Sequence, residues 1–153
     1  MKDVLLDVRT GETSGFEHLE SVDQAADYQV SPDGTMVAFT GAGEEGDPRY
    51  VYVAEVDGTL VRPMTDGPSA ASAPQWSPDC ERLVYSLTGG SEGFIDILIV
   101  DVDGATDSRR ALTGDGITHA SRSEFWQVGT GASFAPDGRT ILFTRATRDG
   151  VRS

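Results

Sequence analysis

The chain has 153 residues, 38% of them hydrophobic, which is enough for one domain with a real core. Its 25 acidic side chains against 12 basic ones give a formal net charge of −13, a surface that repels phosphate backbones and argues against nucleic acid as a partner. No apolar run approaches the roughly 20 residues that span a bilayer, and a single cysteine, Cys80, rules out an intrachain disulfide framework and a multi-cysteine metal site.

The basic residues include one lysine, Lys2, and asparagine is absent; a GC-rich genome or a high-salt cytoplasm would each produce that bias. In chain order, "VLLDVRTG" (Val4 to Gly11) reads as a strand running into a tight turn. "FEHLESVDQAADY" (Phe16 to Tyr28) is the one stretch that comes near helical periodicity, and it reads as a loop with one turn. Four short strands then follow, near Tyr28 to Ser31, Thr35 to Thr40, Tyr50 to Val56 and Leu60 to Met64. Ser31-Pro32-Asp33-Gly34 joins the first two. Proline presets the backbone there, aspartate bonds the backbone beyond it, and glycine accepts positive φ.

The same unit then returns. Ser77-Pro78-Asp79-Cys80 and Ala135-Pro136-Asp137-Gly138 repeat the corner, each after an apolar residue: Val30, Trp76 and Phe134. The strands after the three corners place Val37, Leu83 and Ile141 in one column and Phe39, Tyr85 and Phe143 in another. "VYVAEVDG" (Val51 to Gly58) aligns with "ILIVDVDG" (Ile97 to Gly104), and "RPMT" (Arg62 to Thr65) with "RALT" (Arg110 to Thr113). Ser31 to Glu55 and Ser77 to Asp101 are both 24 positions. Apolar residues at consecutive positions, as in Val37-Ala38-Phe39, require cover on both faces of the strand. Tandem four-stranded units of about 45 residues that cover one another predict an all-β fold, a β-propeller.

"QWSPDCERLVYSL…IDILIVDVDG…RALT" resembles the WD40-like PD40 repeat of TolB-type propellers, and the similarity runs from Val4 to Arg145. Cys80 stands where that repeat has glycine, and Val30 and Phe134 where it has tryptophan. The expected division is a partial blade at about 1–25, blades at about 26–66 and 72–114, and a partial blade at about 130–153. Two complete and two partial blades do not close a ring of the usual 4–8. The expectation is therefore a part of a longer protein, with self-association through open blade edges as the alternative.

Gly41-Ala42-Gly43-Glu44-Glu45-Gly46 matches G-x-G-x-x-G, but the strand-like "VYVAEV" follows it where a dinucleotide fold needs a helix. It is assigned to the loop between second and third strands, and no cofactor is expected. "DVDGATDSRRAL" (Asp101 to Leu112) starts like a calcium loop without the later ligands, so it reads as a turn and no metal is assigned. There is no G-x-S-x-G, and the two histidines, His18 and His119, lie far apart. No catalytic residue is assigned.

The irregular feature is an insertion. Ser31 to Ser77 is 46 positions and Ser77 to Ala135 is 58, the extra residues falling between Thr113 and Phe134. Asp115, His119, Arg122, Glu124 and Trp126 give this loop mixed charge and an aromatic ring, and they form the candidate binding set, against a plain reading in which Trp126 packs on its own blade. The expected function is a non-catalytic scaffold for a protein or peptide partner. The TolB resemblance implies a periplasmic or cell-envelope setting, with a cytoplasmic one as the alternative. Similar propellers precede the catalytic domain of prolyl-oligopeptidase-type serine peptidases, which gives the second functional expectation; a polysaccharide lyase on a related propeller is a third.

Overall fold

A computed structural model describes residues 4–15, 22–44, 46–89, 94–113 and 131–143 of the chain. The described residues fold almost wholly as antiparallel strands: β1 (Val4–Leu6), β2 (Thr13–Gly15), β3 (Asp23–Val30), β4 (Met36–Ala42), β5 (Tyr50–Glu55), β6 (Arg62–Pro63), β7 (Ala70–Trp76), β8 (Arg82–Gly89), β9 (Phe94–Asp101), β10 (Arg110–Ala111), β11 (Ser133–Phe134) and β12 (Ile141–Leu142). They form two four-stranded sheets, β3-β4-β5-β6 and β7-β8-β9-β10, and two two-stranded ones, β1-β2 and β11-β12. A short 3-10 turn, Ala105–Ser108, lies between β9 and β10. Among the described residues no helix is long and apolar enough to cross a membrane.

The Pro-Asp corners are built alike. In each, the third residue after the corner's first N–H acceptor closes the turn: Gly34 N donates to Ser31 O, Cys80 N to Ser77 O and Gly138 N to Ala135 O. Asp33, Asp79 and Asp137 each accept backbone N–H groups just beyond the turn with Oδ1, and Ser31 and Ser77 donate their hydroxyls to Asp33 and Asp79. Cys80 takes φ 63°, beside 75° at Gly34 and 65° at Gly138, so the cysteine occupies a left-handed position that favours glycine.

The Thr that ends each "RPMT" and "RALT" also has a structural task. Thr65 Oγ1 accepts from Val51 N at 2.9 Å, and Thr113 Oγ1 from Ile97 N at 2.8 Å. Each hydroxyl thereby satisfies the third-strand N–H just before the two residues that pair with the short fourth strand.

The two-sided burial expected of the middle strands is present, and it stacks the sheets. Ala38, Val51, Val53 and Met64 of the first sheet pack with Ala71, Trp76, Leu83, Tyr85, Leu98 and Val100 of the second. The far face of the first sheet gathers Val37, Phe39, Tyr52 and Ala54, with the Phe39 and Tyr52 rings stacked at 5.6 Å. The far face of the second gathers Val84 and Ile97 with Ala132, Phe134, Ile141 and Phe143. Burying each such aliphatic or aromatic side chain contributes about 1.5–3 kcal/mol, and alternate residues of one strand supply both neighbours.

Two expected boundaries shift. β3 begins at Asp23, so the stretch read as a loop with one turn is strand from that residue on. Gln24 at φ 51° and Asp27 at φ 55° sit at two register shifts, each inserting one residue opposite β4. Those bulges break the alternation by which a strand is recognised. β6 is confined to Arg62–Pro63, because Leu60 turns the chain at φ 51° and lies exposed.

Candidate functional site

Successive strands of each sheet run in opposite directions, so the second strand ends, and the third begins, at the edge where the fourth ends. β10 therefore ends, and β11 begins, on the side that carries the β4–β5 and β8–β9 connections. The candidate residues Asp115, His119, Arg122, Glu124 and Trp126 fall between β10 and β11 and lie outside the described residues.

On that same side the described residues hold a polar junction that sequence reasoning missed. Thr40 is fully buried, two residues before the end of β4. Its hydroxyl donates to Asp27 Oδ2 at 3.0 Å and accepts from Arg49 Nη2 at 2.9 Å. Asp27 is held there by its bulge, while Arg49 sits at the entrance to β5 and its carbonyl accepts from Ala71 N, the second residue of β7, at 2.7 Å. A carboxylate and a guanidinium joined through one hydroxyl thus lie where the first sheet meets the inner strand of the second. The chemistry suits hydrogen-bonding to polar chain groups. The one available signal was a hydroxyl at a repeated position within an apolar strand: Thr40 matches Ser86, also buried.

A second junction joins the same sheets. Arg109 Nη1 lies 3.0 Å from Asp66 Oδ1, and nearby the Tyr85 hydroxyl is buried without a hydrogen-bond partner. Burial pushes the Tyr85 phenol up to about 12, with the Arg109 charge acting the other way. At the opposite end, Arg82 bridges corners: its Nη2 reaches Asp79 Oδ2 at 3.2 Å and Gly138 O at 3.1 Å, and its guanidinium lies 5.6 Å from the Phe134 ring centre.

The remaining sequence motifs resolve as connections. Gly41 and Ala42 end β4, and the chain then leads into β5 as a strand. A Cβ at Gly41 would lie 2.3 Å from Val22 Cγ1 and 3.1 Å from Asp23 O, so this glycine admits the close crossing of β3. In the Asp101 turn, Gly104 N donates to Asp101 O and Asp101 N to Ser108 Oγ. Among the described residues no group of three His, Cys, Asp or Glu side chains comes together.

No family model matches the chain. By sequence it is 26% identical over 165 residues to an uncharacterized peptidase, YuxL, of Bacillus subtilis, an alignment covering 92% of this chain and 24% of that protein. It is 34% identical over 85 residues to the Tol-Pal system protein TolB of Roseobacter denitrificans, covering 46% of this chain and 19% of TolB. The chain thus spans a quarter or less of the length of these curated relatives. By structure it matches TolB from Acinetobacter baumannii with a TM-score of 0.67 at 18% identity, over 96% of this chain and 32% of that one. A TolB-type protein from Agrobacterium tumefaciens gives 0.64 at 18% identity, over 94% of this chain and 50% of that one. A prolyl endopeptidase gives 0.60 at 16% identity, over 98% of this chain and 25% of that one. With the repeated corners, the two four-stranded sheets and their face-to-face packing, these likenesses identify the fold as that of TolB-type β-propeller blades.

Proposed function

We infer that this chain is a non-catalytic run of propeller blades whose β4–β5, β8–β9 and β10–β11 side handles a polypeptide partner. The observation that carries this reading is the Asp27–Thr40–Arg49 junction. It sets paired donors and acceptors between two rigid sheets, on the side from which the insertion with Asp115, His119, Arg122, Glu124 and Trp126 departs. Loops and crevices held by a rigid scaffold are where binding concentrates. Alanine substitution at Arg122 and Trp126 tests it, read as affinity for peptides selected on the purified protein: a loss of tenfold or more is expected, and unchanged affinity retires the insertion as a binding element.

The second reading is the propeller portion of a prolyl-oligopeptidase-type serine peptidase. It is favoured by the alignment to the peptidase YuxL along 92% of this chain. The complete reading frame separates the two. Labelling of its product by a fluorophosphonate, a probe of activated serine, selects the peptidase; an unlabelled protein that retains peptide binding selects the scaffold. In both readings these blades bind and orient polypeptide; in the second, the nucleophile belongs to another part of the protein.

A further inference from the structure

Tyr85 fills the apolar layer between the two four-stranded sheets, yet its hydroxyl is buried there without a hydrogen-bond partner. The repeat shows that packing does not require that hydroxyl. Phe39 stands at the same place in the unit before, and Phe143 in the unit after. Arg109 is a departure of the same kind: it precedes "RALT" as Val61 precedes "RPMT". Phe39 and Val61 share one apolar cluster on the far face of the first sheet. The second unit thus sets a phenol and a guanidinium where the first has a phenyl ring and a branched alkyl group.

What these two polar groups lack is an acceptor. Burial keeps the phenol protonated far above neutral pH, so its O–H is a donor, and the neighbouring Arg109 has only donors to offer. Arg109 Nη1 reaches Asp66 Oδ1 at 3.0 Å and Asp66 O at 3.4 Å, and the described residues give its remaining N–H groups no carboxylate or carbonyl. The Asp66 side chain is 64% exposed, and an ion pair held at such a surface opens at little cost. The backbone on either side of Asp66 is fixed: Met64 is buried in the shared layer, and Tyr50 Oη donates to Gly67 O at 3.0 Å. The Asp66 carboxylate can therefore swing outward while its main chain stays in place.

We propose that Tyr85 and Arg109 form a seat for a carboxylate ligand, one oxygen accepting the Tyr85 O–H and the other the guanidinium N–H groups, with Asp66 occupying Arg109 until the ligand displaces it. Two donors from neighbouring directions match the two in-plane oxygens of a carboxylate. A doubly charged phosphate fits less well, because the chain has a net charge of −13 and the junction holds a single cation. A free organic acid and an acidic group on a polypeptide present the same chemistry. The seat is separate from the Asp27–Thr40–Arg49 junction, so it stands whether or not that junction handles polypeptide.

The probes are acetate, N-acetyl-triglycine and the C-terminal amide of that peptide. Each is titrated into the isotope-labelled 153-residue chain at constant ionic strength, with chloride as the balancing anion, while the Arg109 Nε–H and Tyr85 ring resonances are followed. Acetate and the free-acid peptide are expected to shift both resonances saturably, and the amide to shift neither. A peptide that binds more tightly than acetate assigns the carboxylate to a polypeptide, and equal binding assigns it to a small acid; both uphold the seat. Tyr85→Phe should weaken acetate binding at least threefold, and Asp66→Ala, which removes the internal competitor, should tighten it at least threefold. An unmoved Trp76 indole resonance checks that each variant keeps its sheet packing. No saturation with either carboxylate, which means a site filled by water only, overturns the proposal. So do equal shifts with the amide, unchanged affinity in Tyr85→Phe, or affinity that fails to rise in Asp66→Ala.

Discussion

Trp76 Nε1 donates to the backbone carbonyl of Gln29 at 2.9 Å, tying the inner strand of one sheet to the inner strand of the sheet before it. The tryptophan of the repeated corner is thereby an inter-sheet clasp: its ring fills the shared apolar layer while its one polar atom satisfies a neighbour's carbonyl. Trp76→Phe keeps most of the ring volume and leaves that carbonyl unmatched. The expected cost is about 1–3 kcal/mol in urea unfolding. A variant as stable as the parent would show that the clasp is dispensable.

Cys80 is held at φ 63°, where an L-residue costs about 1–2 kcal/mol relative to glycine. Cys80→Gly restores the repeat's own residue at the corner. It is expected to raise stability by about 1 kcal/mol, measured by the urea midpoint. A loss of stability would mean that the thiol contributes packing beyond its place in the turn.

Tyr85 combines a fully buried ring with a hydroxyl that has no partner. Burial of the hydroxyl outweighs what the neighbouring Arg109 returns, so Tyr85→Phe is expected to be neutral or stabilising by up to about 1 kcal/mol. Truncation to alanine should cost about 3–5 kcal/mol through the cavity. The alkaline limb offers a second readout. Because the phenol is pushed up to about 12 in the folded chain, its contribution is present below the ordinary tyrosine range and is lost as pH rises through it toward that value. Tyr85→Phe should flatten stability over that interval, and an unchanged alkaline profile would contradict the assignment.

The corner aspartates set the acid limb. The Ser77 hydroxyl, then the Glu81 N–H, hold Asp79 below the usual carboxylate range; the Ser31 hydroxyl does the same for Asp33, and the Arg139 N–H for Asp137. Depressed folded values mean that this stabilisation is present above the ordinary carboxylate range and is lost as pH falls below it. The urea midpoint should fall with acid. Ser77→Ala should lower it at neutral pH, and the gap should narrow, without closing, once Asp79 is protonated, because the Arg82 N–H that Ser77 Oγ accepts is lost at every pH. Parallel curves for the two proteins would remove Asp79 as the cause.

Much of this architecture is legible in the residues, because the Pro-Asp corners and two-sided apolar strands have local causes that recur. Val37 and Phe39 against Ala38 announce two buried faces before any coordinates exist. What is not legible comes from backbone conformations that no glycine marks. Asp27 and Ala73 occupy the same place in consecutive units, and both take positive φ, 55° and 52°, at bulges in the inner strand. The bulge extends β3 and swings Asp27 toward Thr40. The junction with Arg49 follows from that bend, and its three residues have no motif spacing by which to find them. The insertion is visible as a break in the repeat; how Arg122 and Trp126 are placed lies outside the described residues.

The central claim is that consecutive sheets stack face to face through the layer shared by Ala38, Val53, Trp76 and Tyr85. The most direct measurement is a set of nuclear Overhauser contacts in the isotope-labelled protein, read from the Trp76 indole proton and the Tyr85 ring. The account predicts contacts from the indole to the Gln29–Val30 backbone and from the Tyr85 ring to side chains of the first sheet, with slow exchange of the indole proton. Contacts confined to residues 70–111, with an indole proton that exchanges as fast as a free one, would contradict it.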